Sequence, residues 1–204
     1  MKSLKDFVLR ENDVERNGHI YCKVCGKRVD GELVDLGFTK FIPIIKCECE
    51  IKRDKENEER ERLMKISSLK RDCFSSPLQH KYTFEKFLNE KGQAYKVAYN
   101  YAKSFEQMKE DNVGLLFYGD VGSGKTYLAC SIANELIERK QIKVKIMNLS
   151  QAINQIQKSA FKLDSNEIIS NLSNIPLLIL DDLGIERDTS YAREQVYNLS
   201  LIHI

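Results

Sequence analysis

Two sets of residues in this chain have types and spacings suited to chemistry. Gly119-Asp120-Val121-Gly122-Ser123-Gly124-Lys125-Thr126 follows the pattern G-x-x-x-x-G-K-[ST], with an apolar run before it and a helical pattern after it. Glycines there let the backbone turn tightly and aim successive N–H groups at phosphate oxygens, at the positive end of the new helix. Lys125 would set its ammonium against β and γ phosphates, and the Thr126 hydroxyl would be a Mg²⁺ ligand. Tyr127 closes this nucleotide-binding stretch. Some 55 residues later, the apolar run Ile175–Leu180 ends in Asp181-Asp182. A strand ending in acids delivers carboxylates to a sheet's C-terminal edge, beside such a loop. Asp181 would hold Mg²⁺ through water, and Asp182 would orient or deprotonate an attacking water. Taken alone, the Asp pair also fits a turn or a helix N-cap.

The second set is Cys22-x-x-Cys25 and Cys47-x-Cys49, with 21 residues between the pairs. Four thiols in a short, loop-rich segment with few apolar residues read as a closed tetrahedral Zn²⁺ site, structural rather than catalytic. The alternatives are a redox pair or unliganded thiols, and His19 could replace one thiol. Cys73 and Cys130 stand apart, Cys130 as a small buried residue.

These residues need elements to place them. Residues 1–20 are polar, with Leu4, Phe7 and Val8 suggesting one short amphipathic helix, and Phe38–Ile45 is strand-like. In Glu50–Arg62 eleven of thirteen residues are charged, five positive and six negative. Glu56–Arg60, Glu58–Arg62 and Glu61–Lys65 are acid-before-base pairs four apart. The mixture of signs favours a solvated connecting helix over a nucleic-acid patch. Ala94, Val97, Ala98, Tyr101, Ala102, Phe105 and Met108 fall on one face of a helix. Strands are expected at 114–118, 143–148 and 177–181, and helices at 125–139, 150–162 and 166–171. Such alternation means an α/β fold with a parallel sheet and crossover helices.

Composition removes several classes. The 204 residues carry 32 Lys+Arg against 30 Asp+Glu, so a net charge of +2 gives no bulk attraction to nucleic acid. The first six residues lack the apolar stretch of a signal peptide, and the longest apolar run, Ile175 to Leu180, is six residues. Secreted and membrane-spanning readings are set aside, and a cytoplasmic location is expected.

Taken together, the phosphate loop, the acid-tipped strand and the four-cysteine head resemble helicase loaders of the DnaC/DnaI type, a branch of the AAA+ ATPases. The resemblance runs from Tyr21 to about Asn198. It is most specific in GDVGSGKTYLACSIANEL (119–136), LLILDDLGIERDTSYAREQVYN (177–198) and Thr83–Phe87. Transposition helpers of the IstB type share much of the ATPase half. A non-hydrolysing zinc-containing adaptor is the other alternative.

The resemblance implies a P-loop AAA+ core with helices on both faces of a parallel sheet, preceded by a small zinc-binding module. Its expected divisions are 1–50 for the module, 51–75 for a charged helical linker and 76–198 for the core. It further implies binding to the replicative hexameric helicase, contact with single-stranded DNA, and self-association of the full-length protein. ATP, Mg²⁺ and Zn²⁺ are the implied cofactors. Tyr82 and Phe84 stand where relatives hold adenine. Relatives often carry Glu at the second acid, one methylene longer than Asp182.

AAA+ sheets run in the order 5-1-4-3-2, and strands 4 and 5, the lid, the sensor asparagine and the arginine finger find no counterpart here. Strand 1 would then lack a neighbour, and negligible ATP hydrolysis is expected of the chain as written. Leu199–Ile204 matches the translated end of a sequencing adapter, so a truncated reading frame is expected, with a genuine apolar helix end as the alternative.

Overall fold

The computed structural model describes residues 9–90, 92–148, 171–172 and 174–182. The chain divides at Leu63/Met64 into two compact units.

In the first unit, β1 (Asp13–Arg16) and β2 (His19–Cys22) form an antiparallel hairpin. Its two-residue turn, Asn17-Gly18, has positive φ at both positions, 52° and 78°. That is the twist-matched hairpin turn, which Asn and Gly adopt at little cost. The expected N-terminal helix therefore does not extend over this segment, and its marker residues Leu4, Phe7 and Val8 lie outside the described residues. A second hairpin pairs β3 (Val34–Asp35) with β4 (Lys40–Phe41). Of the expected strand Phe38–Ile45, only these two residues and a bridge from Ile44 to Asp30 take part in pairing. The buried residues Ile20, Cys22, Val29 and Cys47 make a very small core.

Helix α1 (Glu48–Cys73) begins inside the second cysteine pair and runs 26 residues. Its contacts include some that the sequence did not suggest. Glu56 lies near Lys52, Arg62 reaches Glu59, and Arg60 bonds Asn57. Leu63 and Met64 stay exposed, while Ile66, Leu69 and Cys73 belong to the core of the second unit.

That core forms around α4 (Lys125–Lys140), half of whose residues are buried. Leu128, Ile132, Leu136 and Ile137 are buried there with Phe84, Ala98, Tyr101 and Phe105. Small residues at 130, 131 and 133, all fully buried, allow close approach of neighbouring elements. The expected single helix over 94–108 is two, α2 (Gln93–Lys103) and α3 (Phe105–Glu110), meeting at Ser104. The buried stripe of α2 also differs from the expected one. Ala94 and Val97 face solvent, and Tyr95 and Tyr99 pack in their place.

After α4, Gln141 adopts φ 52° and its N–H bonds the Ile137 carbonyl, closing the helix. Strands β5 (Val144–Asn148) and β6 (Leu177–Asp181) then pair in parallel, with Val144 opposite Leu177 and Asn148 opposite Asp181. The expected strand at 114–118 does not form. Residues 113–118 pair with no strand among the described residues, and Leu116 and Tyr118 are 72% and 89% exposed. A strand needs a ladder partner, and none of the described residues supplies the neighbours expected for strand 1. Leu115 and Phe117 still pack on the core. The expected helix 150–162, most of 166–171, and the tail 199–204 lie outside the described residues.

Candidate functional site

The glycine-rich loop spans Gly119 to Gly124 and leads directly into α4. Gly124 is the helix N-cap with φ 90°, and a Cβ there would lie 3.0 Å from the Phe87 ring. Backbone conformation and space both require glycine at this position. The Lys125 ammonium donates to the Gly119 carbonyl (2.9 Å) and the Asp120 carbonyl (2.8 Å), so the lysine lies along the loop it serves. Val121 is fully exposed at the loop's crest.

Across the site, the Thr126 hydroxyl donates to Asp181 Oδ1 at 3.2 Å. This contact joins the start of α4 to the end of β6 over 55 residues of sequence. A hydroxyl and a carboxylate side by side at a helix N-terminus are the donor set that Mg²⁺ with phosphate takes, the remaining positions being water. Both halves predicted from sequence therefore meet in space, and the residues fit MgATP.

Asp182 follows with φ 57°, a left-handed conformation that Asp tolerates better than most residues. Its own N–H donates to Asp181 Oδ1 (3.1 Å), and its Oδ2 accepts from Asn148 Nδ2 (3.0 Å). Asn148 went unrecognised in the sequence. It ends β5 directly opposite Asp181 in the ladder, so the parallel register carries its amide to the second acid.

The aromatic residues upstream are packing residues. Phe84 is 4% exposed and meets Tyr95 and Tyr99 edge-on. Tyr82 stacks on Tyr127 at 4.5 Å, and the Tyr127 hydroxyl donates to the Thr83 carbonyl. The side chain of Tyr127 is thereby committed to this packing. Asn134, another residue the sequence did not single out, is buried on α4. Its amide donates to the carbonyls of Gln79 (3.0 Å) and Tyr82 (2.8 Å), pinning residues 79–82 to the helix.

In the first unit the Sγ atoms of Cys22, Cys25, Cys47 and Cys49 lie within 4.8 Å of one another. Cys47 and Cys49 are 3.0 Å apart, and Cys22 and Cys49 3.5 Å. The chain after Cys22 turns through Gly26, whose N–H bonds the Cys22 carbonyl at 2.8 Å. Backbone N–H groups of Cys25 and Val24 pull the Cys22 thiol down to about 6, while Cys47 and burial push Cys49 up. Four converging sulfurs, one of them readily ionised, fit a tetrahedral zinc ion.

His19 does not replace a thiol. Its Nδ1 meets Asp30 Oδ2 at 2.8 Å. Asp30 is buried and also accepts from Arg28 and from the Ile20 N–H. Burial alone would raise this carboxyl, but the hydrogen bonds from Arg28, His19 and Ile20 outweigh it and hold it well below the usual range. The stabilisation is complete above the unfolded-state value of about 4 and fades as pH falls through the folded one. Asp30→Asn is expected to destabilise the first unit by roughly 1–3 kcal/mol at pH 7, read as a lower urea midpoint for its backbone amide signals.

Cys73 and Cys130 are fully buried, and burial pushes each thiol up to about 12. They are inert core residues.

Comparison with known proteins agrees with this geometry. Residues 78–201 match the family described as the bacterial DnaA ATPase domain. The chain is 27% identical to the replicative helicase loader DnaI of Bacillus subtilis, over 76% of this chain and 49% of that protein. It is 27% identical to the replicative helicase loader DnaC of Escherichia coli K12, over 67% of this chain and 56% of that protein. Against the chromosomal replication initiator protein DnaA of Chlorobaculum tepidum the values are 28%, 71% and 29%. The chain thus spans about half the length of the loader relatives and less of the initiator. No helix among the described residues is long and apolar enough to cross a membrane. Motifs, site geometry and relatives converge: the chain belongs to the bacterial DnaA ATPase domain family, as a DnaC/DnaI-like AAA+ protein.

Proposed function

We propose that the chain is the nucleotide-binding part of a replication protein that places the replicative helicase on single-stranded DNA under control of MgATP. The observation that carries this reading is the Thr126–Asp181 contact, which brings the two halves of a phosphate and Mg²⁺ site together at the head of α4. The loader relatives supply the biological direction.

In this reading the amides of 122–126 and Lys125 neutralise phosphate charge, and Thr126 and Asp181 hold Mg²⁺. MgATP supplies a γ-phosphoryl group for transfer to water. Asp182 orients that water or takes its proton. Asn148 holds the shorter side chain of Asp182 in place through its amide. Four cysteines hold Zn²⁺ and so shape the small N-terminal module, which faces the helicase.

The test is reconstitution of the chain with the replicative helicase of its own source and circular single-stranded DNA. Helicase retained on the DNA should rise several-fold with MgATP and fall to background with Lys125→Ala. Retention that ignores both nucleotide and chain overturns the loader reading.

A further inference from the structure

Residues 119–123 of the phosphate loop are all exposed, and burial begins at Gly124, where α4 starts. The loop bonds to itself through the Ser123 N–H, which donates to the Asp120 carbonyl at 3.3 Å, and through the Lys125 ammonium. As a glycine, the N-cap residue has no side chain to fix the start of the helix. Its backbone conformation sets the direction of the amides that follow, at Lys125 and Thr126. Glycine enters and leaves a φ of 90° at little cost, so something outside the glycine must hold it there. The Phe87 ring stands at that place. Its Cε2 and Cζ atoms lie 3.0 and 3.2 Å from where a Cβ on Gly124 would be, so the far edge of the ring fills the space beside the glycine.

Phe87 is itself well held. Its ring stacks on Tyr95 with centroids 5.9 Å apart and tilts against Tyr127 at 5.3 Å. The chain leading to it lies along α4 and is fastened in order. Asn134 holds the carbonyls of Gln79 and Tyr82, Tyr127 holds the carbonyl of Thr83, and Phe87 reaches Gly124. Residues 79–87 thus run from the middle of the helix to its N-terminus and end on the phosphate loop. We propose that Phe87 is a positioning residue of the phosphate site, its ring edge holding Gly124 in the left-handed conformation that aims the first amides of α4. It acts on the phosphates through the loop, not on the base. This assignment rests on the MgATP reading and adds to it a residue outside the loop on which the loop's geometry depends.

The experiment measures binding of MgATP, and of inorganic tripolyphosphate with Mg²⁺, to the full chain by isothermal titration calorimetry. The proteins compared are wild type, Phe87→Leu, Phe87→Met and Tyr99→Leu. Leucine keeps the near part of the packing, so the variant folds, but it has no atoms at the Cε2 and Cζ positions that meet Gly124. Methionine reaches as far as that edge. Tyr99 belongs to the same aromatic group, stacked on Tyr95 one turn along α2, and is the control for lost packing. Phe87→Leu is expected to weaken both ligands by the same factor, roughly fivefold to tenfold. Phe87→Met is expected to stay within about twofold of wild type, and so is Tyr99→Leu even where its melting temperature falls. Loss confined to MgATP places the ring against the base and overturns the assignment. A lower melting temperature with unchanged affinity in Phe87→Leu overturns it in favour of packing alone, as does equal weakening by Tyr99→Leu. Phe87→Met binding as weakly as Phe87→Leu overturns it too, since reach toward Gly124 is then not what matters. A wild-type chain that binds neither ligand overturns the MgATP reading, and the assignment with it.

Discussion

Serine at Cys22 or Cys49 is expected to cost the small N-terminal module its fold. Its buried core comprises Ile20, Cys22, Val29 and Cys47, so two of the four core residues belong to the group of four converging cysteines. Hairpins of four and two residues per strand are too short to persist without a staple. Structural zinc in modules of this size contributes an apparent ~10 kcal/mol or more, as much as or more than the burial of four such side chains supplies. Either substitution should lower bound zinc from one per chain to near zero by elemental analysis. Amide signals of residues 9–47 should collapse to unfolded positions, while the signals of α4 and β5 persist. A strong chelator added to the wild type should reproduce the effect. Retained dispersion in a metal-free Cys22→Ser protein would show that the four sulfurs meet for another reason.

Lys125→Ala is expected to weaken binding of MgATP by roughly 30- to 700-fold, which is about 2–4 kcal/mol for the loss of a charge that meets phosphate. Among the described residues the lysine bonds loop carbonyls and the Ser123 hydroxyl alone, so its removal should leave thermal unfolding unchanged. That separation between affinity and stability is the diagnostic. Titration with a fluorescent ATP analogue reads the affinity directly and does not depend on turnover. Lys125→Arg should also bind poorly, because a planar guanidinium does not occupy the space of a compact ammonium. Unchanged affinity in Lys125→Ala would place the phosphates elsewhere.

The parts of the structure legible in the sequence are those whose chemistry is written locally. Gly119 to Thr126 specify a loop and a helix start within eight residues, and Leu177–Asp181 announces a strand with an acid at its tip, half-buried in the structure. Cysteine spacing likewise brought Cys22, Cys25, Cys47 and Cys49 together before any coordinates did. The missed elements depend on partners distant in sequence or on registers that composition blurs. Asn148 acts on Asp182 from 34 residues away, and Asn134 on Tyr82 from 52. Neither asparagine carries a local pattern that reveals its partner. The β1–β2 hairpin had a readable signal in Asn17-Gly18, but its short strands alternate too weakly to stand out among charged residues. Within α2 the buried stripe runs through Tyr95, Ala98, Tyr99 and Ala102 rather than Ala94 and Val97, a choice of face that periodicity alone does not settle. Residues 113–118 show the opposite failure, since an apolar run has strand composition yet makes no ladder without a neighbour.

The pairing of β5 with β6 has a consequence for how the protein is handled. Four consecutive apolar residues, Leu177 to Leu180, are half-buried to a similar degree, so burial scarcely distinguishes one alignment from the next. In most sheets a slip of one residue turns the apolar set toward water and corrects itself. Here a slipped strand would bury nearly the same leucines while turning Asp181 away from Thr126. Among the described residues the polar ends of the two strands, Asn148 and Asp181–Asp182, mark the right alignment. Protein recovered from denaturant can therefore contain a compact fraction with native helix content and no nucleotide capacity. Active-site titration, rather than circular dichroism, is the proper test of a refolded preparation.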